Sequence, residues 1–282
     1  MRRILAALAL SALAGGGCQS VLEKPPEAGF EQLLRPVTTA PDSVTLEIFH
    51  ARIPLEEDCQ ADALWNQIDE QCFSADLRRR LVANGLRAGV VGGTLPAELA
   101  KLLELRSDMP DPSAERLITA GTAVPQVTRR VVQVNRRDPA SIQASEVRDE
   151  AQVLLSDRGR LSGRTFRQVE AVYSLRAEAL DGERVQVRLI PELDHGELRT
   201  RYAGSDQGIF LMTPSRDREV FDQLSMEVAL LPGEVLVLGC LPDAKASLGG
   251  VFHTASVKGR DERKLILVRL LEAPHSEILA KN

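Results

Sequence analysis

This sequence of 282 residues has no excess of basic charge and few aromatic residues, which make up 4% of the chain. Lys and Arg number 35 against 40 Asp and Glu, so the formal net charge is −5. Proteins that bind nucleic acid replace phosphate counterions with basic side chains, so this balance argues against a nucleic-acid partner. Hydrophobic residues at 44% and charged residues at 27% exclude a collagen-like chain, a disordered tail and a polytopic membrane protein.

Motifs that mark a reaction centre are also absent. There is no Gly-x-Ser-x-Gly elbow and no His-Glu-x-x-His helix. Gly89–Thr94 lacks the spacing and the lysine of a phosphate loop, which favours a tight turn. Asp194–Glu197 holds an acid and a histidine but is predicted to be a polar hairpin tip. The acidic stretch Glu56–Glu70 does not match an EF-hand loop and indicates a solvated helix face. The four histidines, His50, His195, His253 and His275, are scattered along the chain. The sequence therefore indicates no catalytic, cofactor-binding or metal-binding residue, and no cofactor.

The first eighteen residues have the pattern of an export signal. Arg2 and Arg3 precede eleven apolar or small residues, Ile4–Ala14, a run too short to span about 30 Å of hydrocarbon. The run Leu13–Cys18 resembles a bacterial lipoprotein signal, in which the cysteine is lipidated and becomes the first residue of the mature chain. The alternative is ordinary signal-peptidase cleavage after the Ala12-x-Ala14 pattern.

The lipoprotein resemblance implies lipidation of Cys18 and a lipid anchor in the membrane. Gln19 after this cysteine favours the outer membrane, so we expect an envelope protein that faces the periplasm; a soluble periplasmic or secreted protein is the alternative. Export also permits disulfides. A bridge between Cys59 and Cys72 requires Cys59 to lie in a loop that folds back along a helix, because disulfides need Cα atoms within about 7 Å. Without metal-ligand spacing, Cys59, Cys72 and Cys240 are expected to be buried or partly buried thiols.

The remaining chain divides by composition into a tether and two structured parts. Residues 19–43 are rich in Pro, Glu, Thr and Ser and predict a flexible tether. Residues 44–105 predict a small β-α-α-β-α module, and residues 106–128 a linker. Residues 129–272 read almost entirely as strands, and residues 273–282 as a tail. The predicted fold class is therefore α+β, a small N-terminal module followed by a mainly antiparallel β domain, either a sandwich or a curled sheet.

Within the module, period-2 alternation over 44–53 predicts a strand, and residues 86–91 predict a second one. Ser74 is the predicted N-cap of a helix that stops at Asn84-Gly85, and Pro96 begins a helix. One more helix is predicted from the apolar stripe Ala61, Leu64, Trp65, Ile68 and Cys72. The helix after Pro96 is predicted to bury Leu99, Leu102 and Leu103. Trp65 is expected in the core, against the strand 44–53 and the helix that carries Leu99.

Turn signals organise the β-rich part. Asp181-Gly182 predicts a type I′ hairpin, and His195-Gly196 predicts another turn. Pro232-Gly233 predicts a type II turn that pairs the strand 224–231 with the strand 235–239.

Residues 185–271 carry a longer pattern. An aliphatic-Pro motif in Val187–Leu193 precedes polar hairpins; then Phe221–Leu231, Pro232-Gly233-Glu234 and an aliphatic run ending at Gly239 follow. This order resembles the secretin-type domain of bacterial outer-membrane export pores, although Cys240 stands where that family often has a second glycine. The resemblance implies a non-enzymatic envelope protein that acts through protein–protein contacts. Its expected partners are envelope proteins or further copies of itself, in a secretin-like export or pilus assembly. The alternative is an exported hydrolase whose site is not visible from sequence spacing.

Overall fold

The computed structural model describes residues 43–54, 64–92, 94–104, 127–136, 138–204, 210–257 and 259–274. Cys18, the predicted tether up to residue 42, most of the linker and the end of the tail lie outside these ranges. The first strands are β1 (Ser43–Pro54), β2 (Leu86–Val91), β3 (Val127–Asn135), β4 (Ala140–Gln143), β5 (Arg148–Asp157) and β6 (Arg160–Ala179). The others are β7 (Val185–Gly204), β8 (Phe210–Val220), β9 (Met226–Leu230), β10 (Val235–Cys240), β11 (Thr254–Val257) and β12 (Arg260–Glu272). The helices are α1 (Ala75–Ala83), α2 (Ala97–Glu104) and α3 (Leu248–His253).

The strands form two antiparallel sheets, as the mainly antiparallel β prediction requires. The first sheet has the order β2-β10-β12-β1-β3, with β11 also on β12. The second has the order β4-β6-β7-β8, with β5 on β6 and β9 on β7. No helix among the described residues is long and apolar enough to cross a lipid bilayer.

The first sheet joins the strands of residues 44–105 to strands from later in the chain. Strand β1 pairs with β12 on one edge and β3 on the other, and β2 pairs with β10. A central strand needs backbone partners on both edges, and here these partners come from the predicted β-rich part. Local alternation predicts that β1 is a strand, but it carries no information about partners far along the chain.

The second sheet corrects the prediction that β9 and β10 form a hairpin. Pro232-Gly233 does make a turn closed by the bond from the Glu234 N–H to the Leu231 carbonyl at 3.0 Å, and Gly233 has φ +91°. However, β9 pairs with β7 in the second sheet, whereas β10 pairs with β2 and β12 in the first. The turn therefore leads the chain from one sheet to the other.

The main hydrophobic core contains side chains from both sheets, which pack against each other. Tyr173 and Phe252 are among its largest fully buried members, and helices α1 and α3 contribute further apolar side chains. Its strand residues include Leu46 and Ile48 of β1, Leu175 of β6, Leu189 of β7, Leu236 of β10 and Val268 of β12. Apolar burial on this scale is the dominant favourable contribution to folding.

A second core lies around Trp65, as the sequence predicts. Trp65, Leu64 and Ile68 are buried with Ala51 and Ile53 of β1 and with Leu99 of α2. The side chain of Leu102 lies outside the part of the chain that the structure describes. The guanidinium of Arg87 lies 4.4 Å from the centre of the Trp65 ring, a cation–π contact.

The predicted helix that ends at Cys72 is wrong over its second half. After Trp65 the chain turns, and Asp69 forms an antiparallel bridge with Val90 through backbone bonds of 2.9 and 3.0 Å. A short 3₁₀ helix, Glu70–Cys72, follows and leaves Cys72 exposed. The apolar residues do recur at helical spacing. However, the backbone N–H and carbonyl of Asp69 bond to β2, so their hydrogen bonds are made without a helix.

The other local predictions in this region are confirmed. The Ser74 hydroxyl accepts a bond from the Leu77 N–H at 3.3 Å and caps α1. The helix ends before Asn84, and Gly85 has φ +75°. Strand β2 covers the residues that the sequence predicts.

Candidate functional site

The two longest strands separate partway along their length. β6 and β7 have 20 residues each, about 65 Å when extended. They pair with each other only over residues 170–179 and 185–194. Beyond this point β6 pairs with β5, and β7 pairs with β8. Two hairpin arms result: the first arm is residues 150–167, and the second arm is residues 195–204 with 210–217.

The first arm ends in a tight turn that sequence reasoning missed. Asp157 pairs with Arg160 across a two-residue loop in which Arg158 has φ 47° and Gly159 φ 78°. Two consecutive left-handed residues are the signature of a type I′ hairpin. The Arg158-Gly159 pair was the available signal in the sequence for this hairpin.

The outer edge of the first arm is covered by other parts of the chain. The Asn84 side chain donates to the Ser156 carbonyl and accepts from the Ser156 N–H, both at 2.9 Å. The Leu154 N–H donates to the Ala246 carbonyl at 2.8 Å. The amide of Asn84 thus takes the place of a neighbouring strand, which protects this edge from other partners.

The inner edge of the first arm is formed by β6 and differs from the outer edge, which is formed by β5. Within the described residues, the stretch 160–165 of β6 pairs with β5 alone, and its side chains are exposed. Leu161 of this stretch is 68% exposed. Leu198 of the second arm is 64% exposed, and residues 199–204 pair with β8 alone in the described chain.

An ion cluster at the start of the second arm joins Arg218, whose side chain is 52% exposed, to Asp194 and to the buried Glu192. Arg218 of β8 donates to both carboxylate oxygens of Asp194, at 2.7 and 3.0 Å, and its Nη1 lies 2.9 Å from Glu192 Oε2. Burial raises the pKa of Glu192, against the opposing effect of Arg218. The bond to Asp194 raises the pKa of Arg218. This cluster holds β7 and β8 together where the arm begins.

The predicted turn at Asp194–Glu197 is a bulge inside β7, not a hairpin tip. The β7–β8 register shifts between His195 and Arg199, and Gly196 has φ 78°. Glycine adopts this left-handed conformation without a steric penalty, so the strand can bend here and continue. The His195 ring packs edge-on against Phe166 at 5.1 Å. The acid and the histidine therefore contact Arg218 and Phe166, respectively.

Side chains also connect β6 to β8 close to where the two arms begin. Arg164 of β6 forms an ion pair with Glu219 of β8. Arg216 Nη1 donates to the carbonyl of Gln168 at 2.7 Å, and Gln168 itself has φ 48°. A left-handed non-glycine residue is uncommon and marks the kink where β6 leaves β7.

The other residues singled out in the sequence lie apart from the arms. His50 contacts the Gln143 carbonyl at 2.9 Å, and His253 and Cys240 are buried. Gly89 lies inside β2, not in a turn, and a Cβ there would lie 2.5 Å from Ile68 Cγ2. In the acidic stretch, Glu70 pairs with Arg87 at 3.0 Å. Cys18, Cys59, His275 and residues 56–62 of that stretch lie outside the described residues.

Solved structures similar to this chain include secretins. The secretin domain β-barrel of InvG from the Salmonella SPI-1 injectisome matches with 13% identity and a TM-score of 0.23, over 85% of this chain and 66% of that one. Aeromonas hydrophila ExeD matches with 13% identity and a TM-score of 0.22, over 84% and 49%. The V. cholerae competence pilus secretin PilQ matches with 14% identity and a TM-score of 0.22, over 83% and 60%.

The chain thus spans between about half and two thirds of those structures. No protein-family model and no curated protein matches it. What the arms can do follows from their own geometry.

Proposed function

We propose that this chain is a non-enzymatic component of the bacterial cell envelope that assembles with other protein chains through its two arms. One observation carries the proposal: β6 and β7 part after ten paired residues, and each then continues with one described strand partner instead of two. Backbone groups on the remaining edge are available to a strand from another molecule. The secretin-type resemblance of residues 185–271 supports the same function.

Strand addition explains why such edges suit assembly. An extended segment from another chain can hydrogen-bond to an exposed edge, and alternate side chains then contribute specificity. Leu161 and Leu198 supply apolar surface on the arms. Charged neighbours such as Arg164 and Arg167 disfavour indiscriminate pairing, because a mismatched partner would bury their charges.

The partner that we propose first is a second copy of this chain. Every copy carries the same two arms, so the same pair of edges can meet in each contact of a symmetric assembly. Other envelope proteins, in a secretin-like export or pilus assembly, are the second class of partner. Lipidation of Cys18 would hold the assembly at the outer membrane.

A photo-crosslinking residue placed on the arms in cells tests the assembly. We expect substitution at Leu161 or Leu198 to give crosslinked products, and their masses to be multiples of the mass of the processed chain if copies meet each other. Leu180 and Leu231 are matched controls, because they are 41% and 43% exposed and lie outside the arms. Equal crosslinking at all four positions, or none at the arms, would contradict the proposal.

The lipid anchor has its own test. We expect Cys18→Ser to move the protein from the membrane to the soluble fraction of lysed cells, because the acyl chains on this cysteine provide the membrane affinity. A variant that stays with the membranes as before would remove the anchor and leave the assembly proposal standing.

A further inference from the structure

A cleft of about 720 Å³ lies away from the arms. Its walls come from β1, β3, the residues 141–148 that connect β4 to β5, and the β11–β12 hairpin. Clefts that hold small molecules have volumes of roughly 300–1,000 Å³, so this one is large enough for such a ligand.

Basic side chains outnumber acidic ones around this cleft. The basic residues are His50, Arg52, Arg130, Arg148, Lys245, Arg263 and Lys264, and the acidic residues are Glu146, Asp261 and Glu262. Two ion pairs involve these acids, Arg52 with Glu146 at 3.6 Å and Lys245 with Asp261 at 3.4 Å. The cleft is therefore locally positive in a chain whose formal net charge is −5.

The innermost cations are held by backbone carbonyls. Lys264 is only 8% exposed, and within the described residues its Nζ donates to the carbonyl of Ala144. Half-buried Arg148 donates through Nη2 to the carbonyl of Thr254. A carbonyl oxygen satisfies a hydrogen-bond donor but brings no negative charge, so the cost of removing these cations from water is only partly offset.

The pKa values of two residues in the cleft reflect this crowding of positive charge. Burial lowers the pKa of Lys264 to about 8, and the charges of Arg148 and Arg52 act in the same direction, against Glu146. Burial also lowers the pKa of His50, with further lowering by Lys264, Arg130 and Arg52, against its bond to the Gln143 carbonyl. An anion within the cleft would relieve both effects.

We propose that this cleft binds a small oxyanion, a molecule that carries phosphate or carboxylate groups. Lys264 and Arg148 are the inner cations of the site, and Arg52 and Arg130 are more exposed cations on its walls. Guanidinium groups match the planar geometry of carboxylates and the tetrahedral oxygens of phosphate through paired N–H donors. The site lies outside both arms, so it does not depend on the proposed assembly.

Calorimetric titration of the full chain with pyrophosphate and with citrate, at constant ionic strength set by NaCl, tests the site. We expect one equivalent of at least one of these anions to bind. Pyrophosphate alone would identify a phosphate ligand and citrate alone a carboxylate ligand, whereas binding of both would mean that the site recognises charge. Absence of binding by both anions would overturn the proposal.

Variants connect the binding to this cleft. Arg52→Gln with Arg130→Gln removes two cations that are not fully buried, so we expect the fold to be retained and the dissociation constant to rise about tenfold or more. Arg176→Gln is the matched control, because Arg176 is an exposed arginine of β6 outside the cleft. The melting temperature in NaCl alone checks that each variant is folded. Equal affinity of the parent and the double variant would also overturn the proposal.

Discussion

At the scale of single residues, the hydrogen bonds of the buried His253 identify which of its ring nitrogens carries the proton. His253 Nδ1 lies 2.9 Å from the Lys264 carbonyl, and its Nε2 lies 2.8 Å from the Tyr173 hydroxyl. A carbonyl only accepts hydrogen bonds, so Nδ1 carries the proton and Nε2 accepts from Tyr173. Burial lowers the pKa of His253 to about 3, which keeps the ring neutral. No sequence motif predicts the hydrogen bond between Tyr173 and His253, because the two residues are 80 positions apart in the chain.

The buried histidine predicts sensitivity to acid. The pKa of His253 falls from 6.5 to about 3 on folding, so between these values the unfolded chain binds one more proton than the folded chain. The free energy of unfolding should therefore decrease by about 1.4 kcal/mol per pH unit as the pH falls through this window. Urea unfolding at pH 7.5 and 5.0, for the parent and His253→Gln, measures the effect. Identical pH dependence in both proteins would show that His253 is not buried and neutral.

Trp65 predicts a large loss of stability on truncation. Its side chain is 4% exposed, and its ring fills the space above Gly239, where a Cβ would lie 2.7 Å from Trp65 Cζ2. Trp65→Ala should lower the free energy of unfolding by about 3–5 kcal/mol through lost burial and a cavity. Trp65→Phe should cost less, because part of the ring volume remains. Chemical denaturation of the three proteins measures both changes, and an unchanged midpoint for Trp65→Ala would place Trp65 on the surface.

At the scale of elements, two of the predicted turns are in place, but the strand partners were not predictable. Pro232-Gly233 and the hairpin after β6 lie where the sequence predicts them, because their backbone conformations depend on the turn residues themselves. The second turn differs in detail, since Gly182 and Glu183 have positive φ instead of Asp181 and Gly182. The partners of β9 and β10 depend on which sheet each apolar face joins, and that choice is made by distant residues.

Gly233 allows a direct test of the turn that connects the two sheets. Its φ of +91° is strained for a β-branched residue, although no atom lies within 4 Å of the Cβ that a substitution would add. Gly233→Val should therefore destabilise the protein by about 1–2 kcal/mol through backbone strain alone.

Gly163→Val is the matched control for this substitution. Gly163 lies in β6, and a Cβ there makes an ordinary contact of 3.7 Å with Leu154 Cδ2. Valine favours strands, so we expect this variant to be as stable as the parent or slightly more stable. Equal destabilisation by the two substitutions, measured by thermal unfolding, would contradict the assignment of strain to Gly233.

At the scale of the whole molecule, the sequence predicts the class of structure better than its connections. Alternating residues with turn signals predict a mainly antiparallel β domain over residues 129–272, and the structure confirms antiparallel strands there. The separation into an N-terminal module and a β-rich part does not extend to the sheets, since Ile48 of β1 pairs with Val268 of β12. The arms were not predictable for the same reason. Alternation predicts that β6 and β7 are strands, but it does not indicate where each strand changes its pairing partner.

The central claim is that copies of this chain assemble through the arms, and light scattering of the purified full chain tests it most directly. We predict a mass for the parent that is a multiple of the mass of one chain. Leu161→Glu with Leu198→Glu should shift the mass toward that of one chain, because both positions are exposed and the new charges would be buried on assembly. Leu180→Glu with Leu231→Glu, outside the arms, should leave the parent mass unchanged. A parent that stays monomeric at every concentration, or an arm variant with the same mass as the parent, would contradict the account.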